Sequence, residues 1–354
     1  MLQQASFEGL TDVVRILVEN GTDVNARDGY DTTALLAASA HGHEEIISLL
    51  LDHGADANLR DHQGTALQLA AYFGHKQSAR LLIHGGANIN AEAGRYGTTL
   101  YAASIQGNEE MVHLLLENDA AVNEKGGQYG TALGAAVYRG HNEILYILIQ
   151  HGADVNAKDG QRRTVLQAAI TKGNEAISRL LIERGADVNA KAGRDGTALY
   201  IASQRGRYEL VQHLLERGAD VNGKSGGDTA LHAASRAGHE DIVRLLLEHG
   251  ADVNSRGGGH GTALQAASGA GHEDIVRLLI EHGADVNVGG RALGSPLWAA
   301  SYWGRKEVVK LLLEHGADVN FVGGFLNCTP LQTASSRGHK DIVQLLIQHG
   351  AIRE

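Results

Sequence analysis

The chain has 354 residues, a formal net charge of −10, a single cysteine and only two prolines. One cysteine excludes a disulfide framework and favours a reducing compartment, so a cytoplasmic or nuclear protein is expected. An acidic balance argues against a phosphate-binding surface, because nucleic-acid binding normally requires a basic domain.

A repeat near 33 residues organises the chain, seen most plainly in a leucine that recurs at Leu2, Leu35, Leu67, Leu100, Leu133, Leu166, Leu199, Leu231, Leu264, Leu297 and Leu331. Each leucine lies nineteen positions before the residue that opens a GADVN-type segment, as from Leu35 to Gly54 and from Leu264 to Gly283. Length varies only beyond that segment, so the constant part is packed and the variable part is a surface loop. No linker, charge block or low-complexity tract interrupts the repeats, which predicts a single continuous domain over residues 1–354.

Within one copy, Thr262 reads as the N-cap of a short helix, and Pro296 and Pro330 occupy the following N1 slot in two others. Ala267 and its counterparts are alanine in every copy, as only a small side chain fits between closely stacked helices. Gly271 allows a tight turn into a second helix, whose first turn carries Glu273 and Asp274 toward the positive end of the helix dipole. Ile275, Val276, Leu278, Leu279 and Ile280 form its apolar face, and Gly283 closes it in the left-handed conformation.

In chain order the departures carry information. Met1–Phe7 already occupies a first helix, with no loop before it, and the chain stops soon after the last second helix. Stack ends need covering, so further repeats or another domain are expected over them. In the fourth copy Asp119 replaces the closing glycine, at some cost in the left-handed region. Gly218–Ser225, GADVNGKS, matches a phosphate-loop pattern by letter. It lacks the preceding strand and the immediately following helix that a phosphate cradle requires. The run Gly257–Gly259 has no lysine and reads as a flexible loop. The tenth copy holds both tryptophans, Trp298 and Trp303.

These residues resemble the ankyrin repeat family, most fully at Thr229–His232, Gly238–His239, Leu245–Leu247 and Gly250–Asn254. Glutamine often takes the family's histidine position, as at Gln68, Gln167, Gln265 and Gln332. The GTALQAAS flavour resembles the arrays of filamentous-fungal proteins, often joined there to NACHT-type nucleotide-binding domains. The resemblance implies an all-α solenoid of about eleven helix-turn-helix repeats with finger loops. Layers about 10 Å apart would then give a body on the order of 100 Å long.

The same resemblance implies that the two residues before each inter-helix glycine, with the fingers, line the binding face. On that basis the expected partner contacts are Tyr72, Phe73, Tyr101, Tyr138, Arg139, Lys172, Arg205, Arg236, Trp298, Tyr302, Trp303 and Arg337. Lys125, Lys158, Lys191, Lys224, Arg60 and Arg256 add positive charge in the fingers. A protein partner carrying an acidic segment is therefore expected, with no nucleic acid and no membrane. Trp298, at the family's histidine position, reads as structural more than as contact, whereas Trp303 occupies a contact position.

No catalytic residue, cofactor or metal site is expected. Nineteen histidines are present, but most fall one per repeat and so do not converge on one ion. The carboxylates fall mostly where capping or solvation explains them, and Cys328 lies in a finger with no activating pattern. The expected function is a non-catalytic protein-recognition scaffold, a targeting or sensing module of a larger assembly. The alternative is an atypical enzyme, or a subunit of one, using the groove as a small-molecule site.

Overall fold

The computed structural model describes residues 1–92, 94–191, 196–258, 261–289, 294–324 and 327–352. Gly259, the last glycine of the loop noted above, lies outside them. Among the described residues the secondary structure is helical, from Leu2–Glu8 to Lys340–Gln348, and β-pairing occurs only as isolated bridges at finger bases such as Arg60 to Thr65 and Lys158 to Thr164. The protein is a helical repeat solenoid, and it forms two compact units, Met1–Ile177 and Ser178–Glu354.

Each first helix is short because its two ends are specified locally. Thr262 is extended at φ −101° and its hydroxyl accepts from the Gln265 N–H, while Pro296 and Pro330 sit in the first turn of their helices. Gly271 then reverses the chain at φ 92°. That glycine class has a second role which the sequence did not reveal. A Cβ on Gly42, Gly107 or Gly238 would stand 2.6 Å from the imidazole of the histidine in the following repeat. The turn therefore needs both the left-handed backbone and the missing side chain.

Within each unit, first helices pack on first helices of neighbouring repeats and second helices on second helices. The invariant alanines are the contact points, and Ala38, Ala70, Ala202, Ala267 and Ala300 are fully buried. Second helices contribute the broader apolar face, for example Ile275, Val276, Leu278 and Leu279.

A polar ladder pins successive repeats together. Asn25 donates from Nδ2 to the Gly54 carbonyl (3.1 Å), and its Oδ1 accepts from the Asp56 N–H (2.8 Å). Asn58, Asn123, Asn222, Asn254 and Asn287 repeat the same double bond one repeat further on each time. The asparagine that closes GADVN thus satisfies backbone groups left over at the end of the next second helix.

Asp119 stands in this ladder with φ 64°, the left-handed conformation its position requires, and its carbonyl accepts from Asn90 Nδ2 at 3.3 Å. Neighbouring copies place Gly86 at φ 84° and Gly152 at φ 81°. Asp119 is exposed, so substitution disturbs no packing. Asp119→Gly is expected to raise stability by up to about 1 kcal/mol, relief of left-handed strain outweighing the greater freedom of the unfolded chain. A melting midpoint unchanged or lowered would refute this.

Candidate protein-interaction surface

The candidate surface is built from the last turn of each first helix and the finger beside it. The glutamine or histidine that follows the repeat leucine, as at Gln68 and His232, is committed to the scaffold. Gln68 accepts from the Thr65 N–H through Oε1 (2.8 Å) and donates through Nε2 to carbonyls of the next finger, Ala91 and Gly97. His232 does the same with its two ring nitrogens, accepting from the Thr229 N–H (3.2 Å) and donating to the Gly261 carbonyl (3.0 Å). Glutamine and histidine are interchangeable there because each offers one acceptor and one donor at similar reach.

The other two histidine sets are also accounted for by geometry. His43 and His75 donate from Nε2 to the Phe7 and Ala40 carbonyls of the preceding repeat, at 3.0 and 3.1 Å. His53, His151 and His282 donate from Nδ1 to the carbonyl four residues earlier, at 2.8 to 2.9 Å. They cap helix C-termini. Among the described residues no group of three or more His, Cys, Asp or Glu side chains could hold a metal ion.

Gly218 ends the helix Tyr208–Glu216 at φ 81°, and the next helix starts only at Ala230, five residues beyond Ser225. The GADVNGKS segment is thus a repeat C-terminus and a finger, without phosphate-loop geometry. Cys328 Sγ lies 2.8 Å from Thr333 Oγ1 at the base of its finger.

In the first unit, Tyr72 and Phe73 end the helix Ala66–Phe73. The Tyr72 ring packs 4.0 Å from that of Tyr96 in the finger, and Phe73 is 48% exposed beside them. Two repeats on, Tyr138 stacks on Tyr129 at 3.9 Å, and Lys172 Nζ of the next repeat lies 3.8 Å over the Tyr138 ring centre. Arg139 is exposed next to it. The finger residues Tyr96 and Tyr129 were not among the expected contacts. Their signal was an aromatic four residues before the repeat leucine, at Leu100 and Leu133.

Tyr101 is corrected by the structure. It is only 3% exposed, because Gly127 lies against its ring so closely that a Cβ there would come within 2.4 Å. The Tyr129 N–H donates to its hydroxyl at 3.4 Å, and burial pushes the phenol above its ordinary range. Tyr101 therefore supports the finger that carries Tyr129 and offers no surface of its own.

In the second unit, Arg205 is exposed and Arg236 half-buried. The tenth repeat, with Arg337 of the eleventh, forms a further aromatic cluster. Tyr302 stacks on Trp298 at 5.2 Å and meets Trp303 edge-on at 5.0 Å, and the Arg337 guanidinium lies 3.9 Å over the Tyr302 ring. Trp303 is 54% exposed, its Cδ1 only 3.3 Å from where a Cβ on Gly269 would stand. Trp298 is fully buried and cannot touch a partner directly; it is the floor on which Tyr302 rests.

Among the described residues no helix is long and apolar enough to cross a membrane. The chain matches the family model for ankyrin repeats in three-copy blocks over residues 2–93, 99–192, 190–257 and 256–323, and the single-repeat model over 326–353. No curated protein matches it significantly.

Proposed function

Because the chain belongs to the ankyrin repeat family, whose repeats generally serve as protein–protein interaction modules, we propose that it is a non-catalytic recognition scaffold acting as a targeting or sensing module of a larger assembly. Its partner is a protein with an acidic segment, met by the first-helix ends and fingers. The observation that carries this reading is the pairing of cation and ring on an otherwise hydrogen-bonded scaffold: Lys172 over Tyr138 beside Arg139, and Arg337 over Tyr302 beside Trp303. A cation resting on an aromatic face is held in place while keeping its charge, so little side-chain freedom is lost when a carboxylate arrives.

The test is affinity capture with the full chain from its native cell, followed by titration of the purified partner. Arg139→Glu with Lys172→Glu is expected to weaken binding at least tenfold at low salt, an effect that shrinks at about 0.5 M salt as screening shortens to a few ångströms. Both charges are exposed, so the fold should hold. Affinity unchanged by the charge reversal and indifferent to salt would refute the acidic partner.

A further inference from the structure

The first three repeats carry a cavity unlike the basic surface that follows. It has a volume of about 480 Å³, between the first helices and the first two fingers. Its lining includes the aromatic residues Phe7, Tyr30 and Phe73, the histidines His41 and His62, and the acidic Asp28 and Asp61, and among the described residues no lysine or arginine lines it. The nearby Arg27 is engaged elsewhere, paired with Asp31 at 2.7 Å and donating to the Arg60 carbonyl. Phe7 packs on His41 with ring centres 4.2 Å apart, so one aromatic wall is held in position while 51% of Phe7 stays exposed.

The two carboxylates are set by the finger backbones. Asp28 Oδ1 accepts from the Tyr30 and Thr32 N–H groups at 2.8 and 2.9 Å. Asp61 is only 8% exposed; its Oδ1 accepts from the Gln63 and Gly64 N–H groups at 2.8 and 3.0 Å, and its Oδ2 from the Thr32 hydroxyl at 3.1 Å. Neutral donors satisfy these oxygens without cancelling their charge. Negative charge in a recess of reduced solvent contact, walled by aromatic faces, is complementary to an organic cation. The volume suits one long side chain with its flanking backbone.

We propose that this cavity receives a lysine or arginine side chain presented by a partner polypeptide. The proposal rests on the protein-recognition reading above, and adds a second, oppositely charged subsite to it. Charge excludes an acidic occupant, and the amide nitrogen of the adjoining Gln63, whose Oε1 accepts from the Tyr96 hydroxyl, can donate to a peptide carbonyl, an acceptor that a free alkylammonium lacks.

The chain has four phenylalanines, of which Phe7 and Phe73 line the cavity, so fluorine-labelled phenylalanine reports on it in the full chain. The probe is a blocked pentapeptide, Ala-Ala-Lys-Ala-Ala, with its arginine, norleucine and glutamate counterparts and n-butylammonium as comparators. The lysine and arginine peptides are expected to shift the Phe7 and Phe73 signals and leave Phe321 unmoved. Norleucine should bind at least about fivefold more weakly, the loss expected when a cation leaves an aromatic face. Asp61→Asn, which keeps the acceptor for the finger N–H groups, should cost the lysine peptide about tenfold. Phe73→Leu, at a half-exposed site where folding is not at stake, should weaken it severalfold.

Equal binding of norleucine, equal or tighter binding of butylammonium, preference for glutamate, or still Phe7 and Phe73 signals would each overturn the proposal. If the peptides fail while the captured partner still depends on Arg139 and Lys172, the recognition reading stands and only this subsite falls.

Discussion

Trp298→Ala should lower stability by about 3–5 kcal/mol, the range for emptying a fully buried large aromatic site. Trp298 has no exposed surface and is the largest of the fully buried side chains. Two fingers close over it. A Cβ on Gly294 would come within 2.7 Å of its ring and one on Gly324 within 2.5 Å, so both glycine backbones lie flat against the indole.

The helix start itself would survive, because Ser295 and Pro296 still cap it. The damage should be local: amides of the tenth and eleventh repeats would exchange early while distant repeats keep their protection, as nearest-neighbour stacking predicts. A loss below about 1 kcal/mol would mean that the fingers refill the site.

Trp303→Ala should behave in the opposite way, lowering affinity for the partner about thirtyfold while moving stability by no more than about 0.5 kcal/mol. Half of Trp303 is exposed, yet its position is constrained by Gly269 below it and Tyr302 at its edge. A rigid, partly apolar ring loses little entropy on binding, which is why tryptophan so often anchors interfaces. Calorimetric titration and melting of both alanine variants separate the two roles. If Trp303→Ala binds as tightly as the parent, the anchor lies elsewhere. If Trp298→Ala weakens binding, that follows from losing the floor under Tyr302.

The periodic part of this protein was legible in its residues because each element is specified by short-range rules. Thr262 and Pro296 announce helix starts, Gly283 an end, and the alanine three residues after each repeat leucine announces a close helix contact. Even the irregular Asp119 could be assigned a left-handed backbone from its place in the repeat. Eleven copies of one pattern turn weak local preferences into a firm statement of fold.

The surface followed another logic. The slot after the repeat leucine holds Gln68, Tyr101, His232 and Trp298 in different copies, and all four are buried although their residue types differ widely. Tyr101 and Trp298 are buried because glycines from the following finger, Gly127 and Gly324, close over them. Tyr96 and Tyr129 became part of the surface by stacking on Tyr72 and Tyr138, and the cavity between Asp28, Asp61, Phe7 and Phe73 joins residues from three repeats.

Local sequence determined where helices begin, turn and stop, since caps and backbone preferences act within a few residues. Only the tertiary structure decided which rings are floors and which are faces, because burial depends on what the neighbouring repeat lays over them.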